Sequence, residues 1–379
     1  MNLTRLKSII KQFPFVYPMR MINSCAEWID ADNAKKGIYS GIRGHSYKLL
    51  FHAEHQTHQL PQLAQQKDTS RFNPNMFYQT APAYLYNLKD CYVYKQIGLV
   101  LSSRNLLFKE FTHNFGISSL SKFIFKKPFF TFSANVKYAD GIGAMLISPQ
   151  SHNYYHWLFD VLPRIKLYES VSGHINHYCV SASVPHKFLD ILPQFGIPKN
   201  KLLFINDTQK VHFNSLYAGS LPGSEGRSPR WAVDYVRSVL LKDEPATAAK
   251  KIYFKRGKTT NRQIINEEQI ITLLQSQGFD IIDPNDLSIA EQIHVVQNSN
   301  VIVGAHGAAL ANLMFAMPGT AVIELFSADY FRTDCYFTLA GMLSLNYHYL
   351  EGIKPAGAAW GDININEKLL ALKLQQLNG

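Results

Sequence analysis

The feature that most constrains this chain is a sustained alternation of short apolar runs and helix-like segments across residues 251–352. KIYFKR reads as a buried strand, and NEEQIITLLQSQG as a helix begun at Asn266, with acids in its first turn, and stopped by Gly278. FDIIDP is a second strand, Ser288 caps a helix that runs through Gln297, and SNVIVGAHG is a strand emptying into a turn. AALANLMFAM reads as a helix ended by Pro318 and Gly319, TAVIELF as another strand, and RTDCYFTLAGMLS with NYHYLEG continues the pattern. Strands separated by helices cannot pair through tight hairpins. Right-handed crossovers then build a parallel sheet with helices on both faces.

A chain of 379 residues exceeds what one hydrophobic core usually supports, so two domains are expected. The polar, Pro-containing stretch KDEPATAAKK at 242–251 reads as the linker, giving an N-terminal domain over 1–245 and a C-terminal α/β domain over 246–379. The last segment, NINEKLLALKLQQLNG, is an amphipathic helix expected to pack back across the junction. Upstream, residues 91–150 are strand-rich, with CYVYKQIGLVL and NLLFKEF separated by Ser102, Ser103 and Arg104 in a hairpin-like arrangement. Beyond them GAMLISP, HNYYHWLFDVLPRIKLYES, INHYCVSA and HKFLDILPQFG read as strand, helix, strand and helix, a second α/β region.

The net charge of +10 favours anionic partners such as nucleotide phosphates, acidic polymers or an anionic membrane surface. Nucleic acid is set aside, because no Cys/His finger, basic heptad helix or aromatic RNA-binding signature accompanies the charge. Cys25, Cys91, Cys179 and Cys335 are widely spaced without a CxxC pair, which argues against a disulfide framework or thiolate zinc site and fits a reducing compartment. The first 20 residues contain no apolar run long enough for a signal core or membrane span, so a cytoplasmic, soluble chain is expected. Arg5, Lys7, Lys11 and Arg20 interleaved with Leu6, Ile9, Ile10, Phe13 and Phe15 leave two readings open there, a membrane-surface helix or a domain-packing one.

Four places carry candidate chemistry. In VIVGAHGA, Gly304, His306, Gly307 and Ala308 form a small-residue turn between a strand and a helix, where a phosphate can approach the backbone and the positive helix end. Glu324, near the end of the following strand, stands where an acid can accept both hydroxyls of a ribose, or else pair with a cation. Lys255, Arg256 and Arg262 flank a Gly-containing loop, and guanidinium groups suit a diphosphate whose charge grows as it leaves. In SHNYYHWLFDVLPRI, Ser151 can cap a helix on which His152, His156 and Asp160 recur every four residues, so that an acid orients a histidine able to act as general base. A structural role for His156 among Trp157 and Phe159 is the competing reading. No HExxH or other zinc spacing occurs, and the Asp-x-Asp of Asp30 and Asp32, in IDADNAKKG, reads as a helix end or turn.

HNYYHWLFDVLPRI, IYFKRGKTTNRQIINEEQ and QIHVVQNSNVIVGAHGAALANLMFAMPGTAVIELF, in this order and spacing, resemble the catalytic domain of glycosyltransferase family 61 over roughly residues 90–350. The resemblance implies a GT-B fold of two Rossmann-like domains facing a cleft. It also implies an inverting, metal-free sugar transfer from a nucleotide sugar, a UDP-sugar by the family's usual habit, with no cofactor beyond the donor. By motif position, Arg256 and Arg262 would touch the donor diphosphate, Gly304 to Ala308 would cradle phosphate, and Glu324 would hold the ribose. His156, with Asp160, would serve the acceptor side. Lys255 departs from the Ser that often precedes the Arg in the family. Without targeting sequence, the chain resembles a bacterial member at the inner face of the membrane, with a glycan or lipid-linked oligosaccharide as acceptor in capsule or lipopolysaccharide synthesis. A catalytically silent binding subunit and a GT-B-fold sugar-nucleotide epimerase are the alternatives.

Overall fold

The computed structural model describes residues 20–36, 44–57, 77–104, 106–111, 136–223, 226–241, 250–256, 262–327, 329–332 and 335–377. They belong to two compact units, one of Met1–His52 with Pro82–Pro222, the other of Ala53–Ala81 with Gly223–Gly379. The basic aromatic segment before Arg20 and most of the expected linker, 242–249, lie outside the described residues. Among the described residues no helix is long and apolar enough to cross a membrane.

The first unit is built around a long antiparallel pair, Ala83–Tyr94 against Lys210–Gly219. Strict alternation along Ala83–Tyr94 would send half of its apolar residues to the wrong face. The chain resolves this at Asp90, whose φ of 49° is left-handed, a conformation Asp tolerates better than most residues. Tyr86 and Leu88 before it and Cys91 and Val93 after it therefore reach one core, with Val211, Phe213, Leu216 and Ala218 opposite. Leu99–Ser102 and Leu106–Phe108 extend the sheet in antiparallel fashion on one side. Ile142–Met145, His177–Ser181 and Leu202–Ile205 extend it in parallel on the other. The sheet is thus mixed, and the strand–helix alternation expected of a Rossmann-like first domain holds only in its parallel half.

The single helix expected over HNYYHWLFDVLPRIKLYES is broken into shorter pieces. Tyr154–His156 is α-helical, Trp157–Val161 widens into a π turn, and Arg164–Tyr168 resumes the α-helix. Pro163 accounts for the break, because it has no N–H to donate and its ring crowds the carbonyl four residues back. The Leu162 N–H reaches the Trp157 carbonyl at 3.0 Å, closing the wider turn. Tyr168 then ties this helix to the sheet: its hydroxyl donates to the Met145 carbonyl at 2.6 Å and accepts the Gly219 N–H at 3.0 Å.

The second unit contains the expected parallel sheet. In chain order its strands are Lys250–Phe254, Phe279–Ile282, Ser299–Ala305, Ala321–Ser327 and Asn346–Gly352, and across the sheet they run 2-1-3-4-5. Ser299–Ala305 and Ala321–Ser327 are buried almost throughout, as strands covered on both faces must be. Ser288 caps the helix Ile289–Gln297 through a complete capping box with Glu291. AALANLMFAM is helical as expected but winds as a 3-10 helix over Ala308–Phe315.

The C-terminal helix, Glu367–Leu377, is the last element of this unit. It packs within its own unit, with Leu370 and Leu374 in the core beside Ile270 and Leu274. The cause lies at Asn266, expected as a helix cap. Its side-chain amide instead donates to the Ile365 carbonyl at 2.8 Å and accepts the Ile365 N–H at 2.9 Å, clamping the chain beside the helix Glu267–Ser276.

Because the Tyr168 hydroxyl satisfies two buried backbone groups, Tyr168→Phe leaves both without their partner. Urea denaturation of this variant is expected to show a loss of roughly 1–3 kcal/mol with an unchanged slope.

Candidate functional site

The strand order of the second unit reverses between Lys250–Phe254 and Ser299–Ala305, whose outgoing chains diverge to opposite sides. The carboxyl ends of two such strands form the crevice where open α/β sheets bind ligands. Phe254 and Gly304 are paired across the sheet, so Arg256 and the turn of His306 and Gly307 leave it side by side. A Cβ on Gly307 would lie 1.9 Å from an Arg256 terminal nitrogen. Glycine is therefore required by contact with the arginine, not by its extended backbone.

Arg256 is spread over backbone carbonyls. Its Nε donates to Arg262 at 3.0 Å and its NH1 to His306 at 3.2 Å, while its own amide is held by Glu267 at 2.6 Å. Arg262 is left-handed, with φ of 59°, its Nε is buried without a hydrogen-bond partner among the described residues, and its guanidinium lies 5.1 Å over the Tyr330 ring. Burial, and then the charge of Arg262, pulls the Arg256 pKa below its ordinary value. Two cations thus stand close together, an arrangement that an anion would relieve.

His306 and Glu324 come together inside this turn. The His306 Nδ1–H donates to one carboxylate oxygen of Glu324 at 2.5 Å, and the Tyr347 hydroxyl donates to the other at 2.5 Å. Glu324 is fully buried. Burial, and next the Glu324 charge, pushes the Tyr347 hydroxyl well above the usual tyrosine range, so it stays protonated and donates. Both oxygens of Glu324, the residue expected to hold a ribose, are thus engaged by side chains of its own unit. The His306 ring stacks on Phe326 at 5.3 Å and meets Tyr330 and Tyr336, and the Tyr336 hydroxyl donates to the Gly307 carbonyl at 2.6 Å.

In the first unit, His156 and Asp160 meet as their four-residue spacing anticipates. Nδ1 of His156 lies 2.6 Å from Oδ2 of Asp160, and the Ser148 hydroxyl donates to the same oxygen at 3.4 Å. Asp160 is buried, whereas 23 % of the His156 side chain is exposed. His152 is exposed on a preceding turn and takes no part in this pairing. The capping role expected of Ser151 falls to Asn153, whose side chain accepts the Tyr155 N–H at 2.9 Å. Ser151 instead braces the turn at Ser148, accepting its N–H at 2.8 Å and donating to its carbonyl at 2.6 Å. Arg164, fully buried, adds a bond to the Ile147 carbonyl at 2.8 Å while its Nε and second terminal nitrogen have no hydrogen-bond partner among the described residues.

Asp30 and Asp32 lie within the helix Cys25–Lys35 and have local partners: Asp30 accepts the Tyr47 hydroxyl at 2.9 Å, and Asp32 pairs with Lys36 at 2.6 Å. Sequence reasoning missed Ser148, Arg164, Tyr336 and Tyr347. Only the alternation NYHY in the last strand hinted that Tyr347 shares a face with the residue paired to Glu324.

The family model Glycosyltransferase 61 matches residues 154–323, a segment containing His156, Asp160, Arg256, Arg262 and the turn at 304–308. The chain is similar to the EGF domain-specific O-linked N-acetylglucosamine transferase of Mus musculus, 25 % identical over 122 residues covering 31 % of this chain and 22 % of that protein. It is also similar to two proteins of Arabidopsis thaliana. Beta-1,2-xylosyltransferase is 27 % identical over 107 residues, 25 % of this chain and 20 % of that one. Xylan glycosyltransferase MUCI21 is 32 % identical over 97 residues, 24 % of this chain and 20 % of that one. The chain spans about a fifth of the length of these curated relatives.

The contact between Gly307 and Arg256 gives a direct test of the anion site. Gly307→Ala pushes the guanidinium aside, and calorimetric titration with inorganic pyrophosphate is expected to show about tenfold weaker binding, or about 1.4 kcal/mol. Unchanged affinity would place the anion elsewhere.

Proposed function

Residues 154–323 of this chain belong to the Glycosyltransferase 61 family, and on that premise we propose that the protein is an inverting, metal-independent glycosyltransferase of GT-B architecture. Its donor is a nucleotide sugar, in our reading a UDP-sugar, and its acceptor a glycan or lipid-linked oligosaccharide of a bacterial surface polysaccharide. The observation that carries this reading is the pair of arginines at the strand-order reversal, Arg256 set against Gly307 and His306, and Arg262 bonded to it through its carbonyl. A transferase that uses no metal needs fixed positive charge where the nucleoside diphosphate departs, and preorganised guanidinium groups supply it without reorganisation.

In the proposed reaction, His156 takes the proton from the acceptor hydroxyl through Nε2, while Asp160 holds Nδ1 and stabilises the charge that the ring acquires. The acceptor oxygen forms its bond to the anomeric carbon as the bond to the diphosphate oxygen breaks, and the electron pair leaves with the diphosphate onto Arg256 and Arg262. A single displacement inverts the anomeric configuration. Glu324 contributes by anchoring His306, which in turn offers its carbonyl to Arg256. The charge of +10 suits work beside an anionic membrane, and we place the protein at the cytoplasmic face.

Thermal denaturation with UDP, GDP, CDP and ADP, and with their common sugar conjugates, tests the donor reading. One nucleotide is expected to raise the melting temperature selectively, irrespective of magnesium, and Arg256→Ala to abolish the shift. A panel without any shift would refute nucleotide binding. His156→Ala is expected to lower kcat by 10²- to 10⁴-fold while leaving the donor-induced shift intact. Product analysis separates a new glycoside from an isomerised sugar nucleotide, the product of an epimerase, and from no product, the outcome for a silent subunit.

A further inference from the structure

Trp360 is an exposed aromatic that the chemistry above leaves unused. Half of its surface, 50 %, is open, yet it is not carried on a loose loop. It stands between two left-handed glycines, Gly357 at φ 76° and Gly361 at φ 80°. The Gly361 N–H donates to Asp329 Oδ1 at 3.0 Å. Asp329 is itself held by the Lys354 ammonium at 2.6 Å and the Ser327 hydroxyl at 2.5 Å, and these bonds, Lys354 first, keep its carboxyl down at about 2. One residue further, Asp362 accepts the Gln263 N–H at 2.7 Å. A Cβ on Gly361 would lie 2.3 Å from Cγ of Arg262, so the turn rests on the stem of the arginine assigned to the diphosphate. The chain thus invests several bonds in keeping an indole in water beside the anion site, where burial would otherwise be favoured.

The ring contacts give this indole a direction. His306, inside the phosphate turn, meets Tyr330 at 5.3 Å, and Tyr330 meets the Trp360 ring at 4.7 Å and 63°. Arg262 covers Tyr330 at 5.1 Å. An aromatic line therefore runs from the turn at His306 to the surface, with Trp360 as its outer member and Arg262 against both Tyr330 and the turn at Gly361. In a nucleoside diphosphate the planar base hangs one ribose away from the phosphates. We propose that Trp360 is the stacking surface for the base of the bound nucleotide and the residue that makes this site prefer nucleoside diphosphates to bare diphosphate. The proposal rests on the nucleotide-sugar reading above. A sugar stacked on the same indole would require the diphosphate to run in the opposite sense.

Calorimetry on the full-length protein with inorganic pyrophosphate and with UDP, GDP, CDP and ADP tests the assignment in wild type, Trp360→Ala and Trp360→Phe. One nucleoside diphosphate should outbind pyrophosphate in the wild type. Trp360→Ala should weaken that nucleotide roughly 5- to 100-fold, the range expected for losing one base–aromatic stack, with pyrophosphate affinity unchanged and Trp360→Phe recovering most of the loss. If wild type binds nucleotide and pyrophosphate equally, or Trp360→Ala weakens neither or both alike, the stacking assignment is wrong while nucleotide binding stands. If Trp360→Ala weakens only an acceptor or free sugar, the indole serves a sugar instead. Binding of neither pyrophosphate nor any nucleotide by the wild type overturns this inference together with the reading beneath it.

Discussion

The second unit's site depends on one buried charge. Glu324 is sealed from water, and a lone carboxylate in such a place would be costly, so its two oxygens must be met from within the protein. His306 and Tyr347 meet them. The consequence travels outward through atoms that cannot move independently. With its ring locked, His306 presents its carbonyl to Arg256; Arg256 holds the Arg262 carbonyl; Arg262 lies over Tyr330; and Tyr330 meets Trp360. Each link is modest, but together they connect a charge in the core to an aromatic at the surface through two arginines.

The second unit was legible because its physics is local. Strands buried on both faces must be nearly continuous apolar runs, and VIVGA and AVIELF are such runs, separated by a helix of the right length for a crossover. The first unit was harder because its sheet changes character at Lys210–Gly219, parallel on one side and antiparallel on the other. Nothing in CYVYKQIGLVL announces that Asp90 turns left-handed and reverses which residues face the core. The break at Pro163 could have been read from the sequence, since a proline inside a helical pattern removes a donor; the π turn that compensates for it could not.

For the site residues the division is similar. His156 and Asp160 were found because four residues is one helical turn, and that geometry survives the π turn that follows His156. Arg256 and Gly307 were found separately, as a charged loop and a small-residue turn. Their contact is a fact of sheet register, Phe254 paired with Gly304, which strand reading alone does not contain. Glu324 stands out in the sequence, but its internal partners do not. An acid at a strand end can face a ligand or the core, and the deciding residue, Tyr347, arrives a strand later. Ser148 and Arg164 carry no motif, and their roles come from where the strand Ile142–Met145 ends relative to the helix above it.

Among the described residues the same chemical pair, a carboxylate on the Nδ1 of a histidine, occurs in two different settings. At His156 the carboxylate is buried but almost a quarter of the imidazole side chain is open, and a hydroxyl, Ser148, is the additional bond to the acid. A group that must gain and lose a proton in every proposed turnover has to reach both substrate and solvent, and this pair can. At His306 both partners are buried, a phenol completes the acid's bonding, and aromatic rings enclose the imidazole. A group that supports a fixed positive site gains nothing from changing its charge and loses stabilisation if it moves, so enclosure suits it. Exposure, rather than the identity of the paired residues, separates the histidine proposed to carry a proton from the one proposed to brace the arginines.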